Sequence, residues 1–253
     1  MADRTLVLLH AFPLSSAMWD PQLDAFDGWR VMAPDIGGFR RPNEPAGKSG
    51  GGPPGAGMNE WAAEIARLLD ARGVTQAVIG GLSMGGYLAF ALYRHAPGRF
   101  GALVLADTRA TADSEEAKAG RRAMQDLADS GGARAIADDM LPKLLGETTR
   151  RDQPEIGARV RALIEANRPA AIKAALDAMM NRQDARPLLP RIACPTLIVV
   201  GEEDTLTPAA ASEEMHRAIR GSRLVTIPRA GHLSNLEQPG AFNGALGRFL
   251  KDL

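Results

Sequence analysis

Four runs of the chain are apolar without interruption: "TLVLLH" (5–10), "AVIGGL" (77–82), "ALVLAD" (102–107) and "TLIVVG" (196–201). A strand with one wet face alternates apolar and polar residues, whereas a strand covered by helices on both faces does not. These four therefore read as parallel strands buried on both sides. Two shorter runs, "RVMAPD" (30–35) and "RLVTIP" (223–228), are weaker candidates for the same sheet. Between the runs, apolar residues recur at helical spacing over 59–72, 84–96, 209–219 and 239–251. Alternation of this kind predicts an α/β fold built on a doubly wound, mostly parallel sheet.

The alternation stops between Asp107 and Pro195, where the pattern is helical throughout. Asp113 followed by Glu116 predicts a capping box opening a helix to about Ala128. Pro154 and Pro169 stand where first-turn prolines would open two more. The chain then divides into a core, 1–110 with 190–253, and a helical insertion, 111–189, lying over one edge of the sheet. Met124, Met140, Leu144, Leu145, Met179 and Met180 are its candidates for facing that edge. Unbranched thioethers fill irregular space, so these side chains could line an adaptable apolar pocket.

One stretch concentrates the chemistry: "VIGGLSMGGYLAFALYRHAP" (78–97) begins as a buried strand and ends as an apolar helix. At the junction, Gly81-Leu82-Ser83-Met84-Gly85 fits G-x-S-x-G. So sharp a reversal strains the central residue and brings its neighbours at −2 and +2 too close for side chains. Ser83 Oγ would then stand at the carboxyl end of the sheet, beside the positive end of the following helix. A serine hydroxyl is a poor nucleophile without a base, and the base needs an orienting carboxylate.

Of the four histidines, His95 falls about three turns along the helix after Ser83, and His216 sits mid-helix among charges. His232 instead follows the last candidate strand and belongs to the same sheet edge. For the acid, "GEEDTLTP" follows a strand directly; Asp204 is the first candidate, Glu203 the fallback and Asp107 a second possibility. Attack on an acyl carbon also requires donors for the oxyanion. The backbone N–H of Met84 is one candidate and that of Phe12, in the "HAFP" turn after the first strand, the other. His10 in that turn is expected to brace it by hydrogen bonding.

Composition narrows the alternatives. Lysine plus arginine and aspartate plus glutamate number 30 each, so net charge recruits neither nucleic acid nor an anionic membrane. No apolar run approaches the ~20 residues of a membrane span. The first residues read as a strand rather than a secretion signal, and the single Cys194 suits a reducing cytoplasm as an inert core thiol. No His, Cys and carboxylate cluster has metal-ligand spacing, so no metal or cofactor is expected. The segment 42–60 contains G-x-G-x-x-G at Gly50, Gly52 and Gly55, but follows no strand. Pro53 and Pro54 also remove backbone amides a phosphate would need, which leaves a loop as the reading.

Taken in order, "LLHAFPLSSAMWDPQL", "PDIGGF", "GGLSMGG", "PTLIVVGEEDTLTP" and "RAGHLSNLEQP" resemble the α/β-hydrolase superfamily over nearly the whole chain. The order Ser83, Asp204, His232 is that of the family. The resemblance implies an α/β-hydrolase sheet with a helical lid inserted after the sixth strand, at 111–189. It also implies oxyanion amides at Phe12 and Met84, with Ser83, Asp204 and His232 as the catalytic set. Among subgroups the chain is most similar to small bacterial esterases and to 3-oxoadipate enol-lactonase-like hydrolases. The expected activity is hydrolysis of a small carboxylic ester of short or medium acyl chain. The alternatives are a lactonase, or a ligand-binding protein that kept the fold and lost the chemistry.

Overall fold

The computed structural model describes residues 4–42 and 56–253. The glycine motif at Gly50, Gly52 and Gly55 lies outside the described residues. The chain runs through β1 (Arg4–Leu9), α1 (Asp20–Leu23), β2 (Trp29–Met32), α2 (Met58–Ala71), β3 (Ala77–Leu82), α3 (Met84–His95) and β4 (Phe100–Ala106). Then come α4 (Glu115–Leu144), α5 (Glu147–Asp152), α6 (Pro154–Glu165) and α7 (Pro169–Met180), before β5 (Thr196–Gly201), α8 (Ala209–Ala218), β6 (Arg223–Ile227), α9 (Ser234–Glu237) and α10 (Pro239–Lys251).

The six strands form one sheet in the order β2-β1-β3-β4-β5-β6, and every pairing is parallel. The two weak sequence candidates, β2 and β6, are its edges and stay partly exposed. All of β3 and β5 is buried, which is why their sequences carry no polar alternation. The chain steps outward from β1 to β2, then crosses back to β3 and proceeds to the other edge. The strand order thus reverses between β1 and β3, where crevices open at the carboxyl ends of open α/β sheets. The turn after β1 and the junction β3–α3 meet at that point.

Helices α4 to α7 fill the span between β4 and β5. Pro154 and Pro169 do occupy the first turns of α6 and α7. Three details differ from the sequence reading. The insertion leaves after the fourth described strand rather than the sixth, because no described strand precedes β1. The first helix ends a few residues past Ala128, where Gly132 takes φ 65°, ψ −165°, and a second helical stretch that the sequence reading did not separate runs on from there to Leu144. Its cap is Ser114, whose hydroxyl accepts the Ala117 N–H at 3.1 Å, and not Asp113. Asp113 is instead drawn off by three arginines, Arg109, Arg121 and Arg182, each within ion-pair reach of its carboxylate.

Candidate active site

Ser83 ends β3 with φ 55° and ψ −113°, a backbone region L-residues rarely occupy. Surrounding contacts hold it there. Its N–H donates to Ala106 O at 3.0 Å, and its carbonyl accepts the Thr108 hydroxyl at 2.8 Å. The flanking glycines answer to space rather than flexibility alone. A Cβ on Gly81 would stand 2.1 Å from the Gly85 carbonyl oxygen, and one on Gly85 would stand 2.1 Å from that of Leu9. The turn therefore closes only with hydrogen at both positions.

Asp204 and His232 meet behind the serine. His232 Nδ1 lies 2.8 Å from Asp204 Oδ2, with both residues buried. The carboxylate is saturated: Oδ1 accepts the backbone N–H groups of Leu206 (2.8 Å) and Thr207 (3.0 Å), and Oδ2 also accepts the Thr207 hydroxyl at 2.7 Å. Burial by itself would raise the Asp204 pKa, but the adjacent imidazole and these hydrogen bonds outweigh it and hold the group below its ordinary value. An ionised, four-times-accepting carboxylate fixes the proton of His232 on Nδ1 and leaves Nε2 as the free base.

Ser83 and His232 both line a cavity of about 90 Å³, together with Phe12, Tyr87, Met140, Leu144, Met179, Leu206, Thr207, Arg109 and Arg121. Among the described residues no direct hydrogen bond joins the hydroxyl to the imidazole; the two share the cavity wall. Phe12 and Met84 flank the serine, and among the described residues neither backbone N–H donates to a protein group. His10 sits beneath the Phe12 turn. Its Nε2 accepts the Ile36 N–H at 3.0 Å, so Nδ1 carries the proton and donates to Ala11 O at 3.0 Å. Burial lowers its pKa, in keeping with a neutral imidazole used on both nitrogens.

The other acid candidates are engaged elsewhere. Glu203 turns away from His232 and accepts the Thr148 N–H at 2.8 Å and its hydroxyl. Asp107 is fully buried, takes φ 44°, and accepts the Gly201 N–H at 2.7 Å and the Ser234 hydroxyl. Burial first, and then the nearby Asp204 charge, push its pKa well above the ordinary value. His95 and His216 are exposed on α3 and α8, and neither lines the cavity.

Of the six apolar candidates in the insertion, Met140, Leu144 and Met179 line the cavity; Met124, Leu145 and Met180 do not. Adjacent helical residues point about 100° apart, and here Met179 borders the cavity while the half-buried Met180 points away from it. Leu145 leaves the helix with φ −112°, ψ 138° and packs toward Gly157, and Met124 lies on the other side of the Gly132 break. The sequence reading missed Tyr87, Arg109, Arg121, Leu206 and Thr207. Arg109 follows the end of β4 by three residues, at the same sheet edge as Ser83, and that placement was the available signal.

Comparison with known proteins places the whole chain among similar ones. A family model described as the alpha/beta hydrolase family matches residues 6–245. A 3-oxoadipate enol-lactonase 2 from Acinetobacter baylyi is 28% identical over 252 residues, covering 99% of this chain and 90% of that one. A pimeloyl-[acyl-carrier protein] methyl ester esterase from Neisseria meningitidis serogroup B is 32% identical over 256 residues, covering 95% and 90%. A thermophilic esterase from Thermogutta terrifontis, solved with malate bound, superposes with a TM-score of 0.92 at 39% identity, covering 98% and 90%.

Proposed function

The chain belongs to the alpha/beta hydrolase family, and from that premise we propose that it is a serine carboxylic ester hydrolase acting through an acyl-enzyme. The observation that carries the reading is the Asp204–His232 pair, joined at 2.8 Å and opening on the same cavity as a serine held in a strained strand-to-helix turn. Ser83 is the nucleophile. As its Oγ attacks the acyl carbon, Nε2 of His232 takes the hydroxyl proton and Asp204 steadies the imidazolium. A hydrogen bond of this kind often tightens only as substrate docks. The carbonyl oxygen, now an anion, is received by the N–H groups of Phe12 and Met84, each worth roughly 3–4 kcal/mol in such a hole. His232 returns the proton to the leaving alcohol. It then activates water, which attacks the acyl carbon and releases the acid and Ser83.

In this reading, residues 111–189 serve as a lid. Met140, Leu144 and Met179 supply the apolar ceiling over the acyl group, and a cavity of about 90 Å³ suits short chains. The same steps open a lactone, whose alcohol stays attached to the acyl group. The alignment with an enol-lactonase over 99% of the chain favours keeping that second reading.

The test is direct. Ser83→Ala should abolish release of p-nitrophenol from p-nitrophenyl butyrate, and a fluorophosphonate probe should label the wild type at Ser83 only. A folded chain that takes no label is a ligand-binding relative and not an enzyme. Rates on aryl esters against five- and six-membered lactones separate the two hydrolytic readings.

A further inference from the structure

The arginines at the cavity are too many for the acid that faces them. Asp113, with a side chain entirely buried, is the shared partner of Arg109 (3.0 Å), Arg121 and Arg182 (2.8 Å). Three guanidinium groups on one carboxylate leave a local surplus of two positive charges. Arg182 is fully committed. Besides Asp113 it donates to Met179 O and Thr111 O, both at 2.8 Å, its guanidinium lies 4.1 Å from the centre of the Tyr87 ring, and its side chain is 4% exposed. Arg109 gives Asp113 only Nη2 and Arg121 gives it Nε and Nη2, which leaves Nη1 of each without a partner among the described residues; these two, not Arg182, line the cavity that holds Ser83 and His232.

Arg109 carries the clearest sign. Its Nε is buried, yet donates to no group among the described residues. A buried N–H without an acceptor is a cost that native proteins seldom keep. A purely structural role gives no account of it, because the Asp113-paired Arg182 already ties the insertion to the core through its stacking on the Tyr87 ring of α3. The rest of the cavity wall is mostly apolar: Phe12, Met140, Leu144, Met179 and Leu206. Two cations in an apolar pocket beside a nucleophile are suited to a planar anion, since the guanidinium fork matches a carboxylate edge.

We infer that Arg109 and Arg121 bind a second, ionised carboxylate carried by the substrate, so that the preferred substrate is a short ester or lactone of a dicarboxylic or carboxylated compound. This rests on the hydrolytic reading above and names its substrate class. The anion fixes the position of the ester carbonyl over Ser83, while Asp113 keeps the two forks parted and aimed. A small cavity sets the scale, since there is little room beyond a few carbons between the two carboxyl carbons.

The experiment compares pairs of esters alike in shape but not in charge. Monomethyl succinate is set against methyl succinamate, with the anion on the acyl side. Acetylglycolate is set against acetoxyacetamide, with the anion on the alcohol side. At least one anionic ester should exceed its amide partner tenfold or more in kcat/KM, and the arm that does so tells which side of the bond faces the arginines. In Arg109→Gln and Arg121→Gln that ratio should fall toward one, and Arg109→Lys should keep part of it. Should either variant not fold, the wild type still answers: succinate should inhibit turnover of p-nitrophenyl butyrate competitively, at least tenfold more strongly than succinamide at equal ionic strength. Ratios near one in both arms, or equal inhibition by succinate and succinamide, with Ser83 still labelled by fluorophosphonate, overturn the inference and leave the hydrolase standing. Absence of labelling overturns the hydrolase itself, and this inference with it.

Discussion

Replacing Asp204 by asparagine tests the site at its most constrained atom pair. Oδ1 of Asp204 accepts two backbone N–H groups, from Leu206 and Thr207, and backbone donors cannot turn round to accept. The carbonyl oxygen of an asparagine must therefore take the Oδ1 position. Its NH2 group is then forced into the Oδ2 position, 2.8 Å from His232 Nδ1. Two donors cannot share that contact, so the imidazole moves its proton to Nε2 and presents N–H, not a lone pair, to Ser83. Only Thr207, whose hydroxyl rotates, adapts without loss. A base in the wrong tautomer costs about 10⁴-fold in a triad of this kind, or roughly 5.5 kcal/mol of transition-state stabilisation. We expect kcat on p-nitrophenyl butyrate to fall by about 10³–10⁴-fold, with the far-ultraviolet circular dichroism and melting temperature close to wild type. A folded Asp204→Asn protein within tenfold of wild-type kcat would refute the argument that this carboxylate sets the tautomer.

Asp107 sits near Asp204 in a site where burial favours the protonated form, so Asp107→Asn, a neutral replacement of like shape, should keep more than about a tenth of the activity; a loss as deep as that of Asp204→Asn would make it the acid instead. Gly85→Ala should fail to fold or lose activity with about 3 kcal/mol or more of stability, since its Cβ would stand 2.1 Å from Leu9 O, while Gly98→Ala, which meets nothing within 4 Å, should leave the melting temperature unchanged. Burial opposes the charge of Asp113, but Arg121 and Arg182 outweigh it and hold its pKa below 3.8. The folded state thus binds that proton less tightly than the unfolded chain, so the contribution is present above pH ~4 and is lost as pH falls through the depressed value. Melting curves from pH 2.5 to 6 should show a shallower acid limb for Asp113→Asn, together with an overall loss on the order of 3–5 kcal/mol from three arginines left facing no charge.

What could be read from the chain follows from where information is local. The runs at 77–82 and 196–201 announce buried strands because every residue in them is apolar, and each hands its chemistry to the next loop. Ser83, Asp204 and His232 were legible for that reason, since each stands just beyond a strand. The course of α4 was not. Gly132 does break the helix, as its sequence suggests, but packing against α6 and α7 lets a second helical stretch follow at once and run past Pro142 to Leu144. The role of Asp113 was misread because a cap and an ion-pair partner are the same residue type, and only the fold brings Arg109 and Arg182 to it from 4 and 69 positions away. Arg109 and Arg121 were passed over because an arginine in sequence looks like surface until a cavity is seen beside it.

The short helix α5 begins against two carboxylates, one in the loop after β5 and one at the end of α9. Glu237, four residues past Leu233, accepts the Gly146 N–H at 2.8 Å and the Leu233 N–H at 3.0 Å, and Glu203, next to Asp204, accepts the Thr148 N–H at 2.8 Å. Anyone who transplants helices from a related protein to change selectivity must therefore carry this joint along or rebuild it. A graft that displaces residues 146–148 takes from both acids the donors that α5 supplies, beside the loops that carry Asp204 and His232. Seams placed within 111–140, ahead of the joint, give such chimaeras their best starting point.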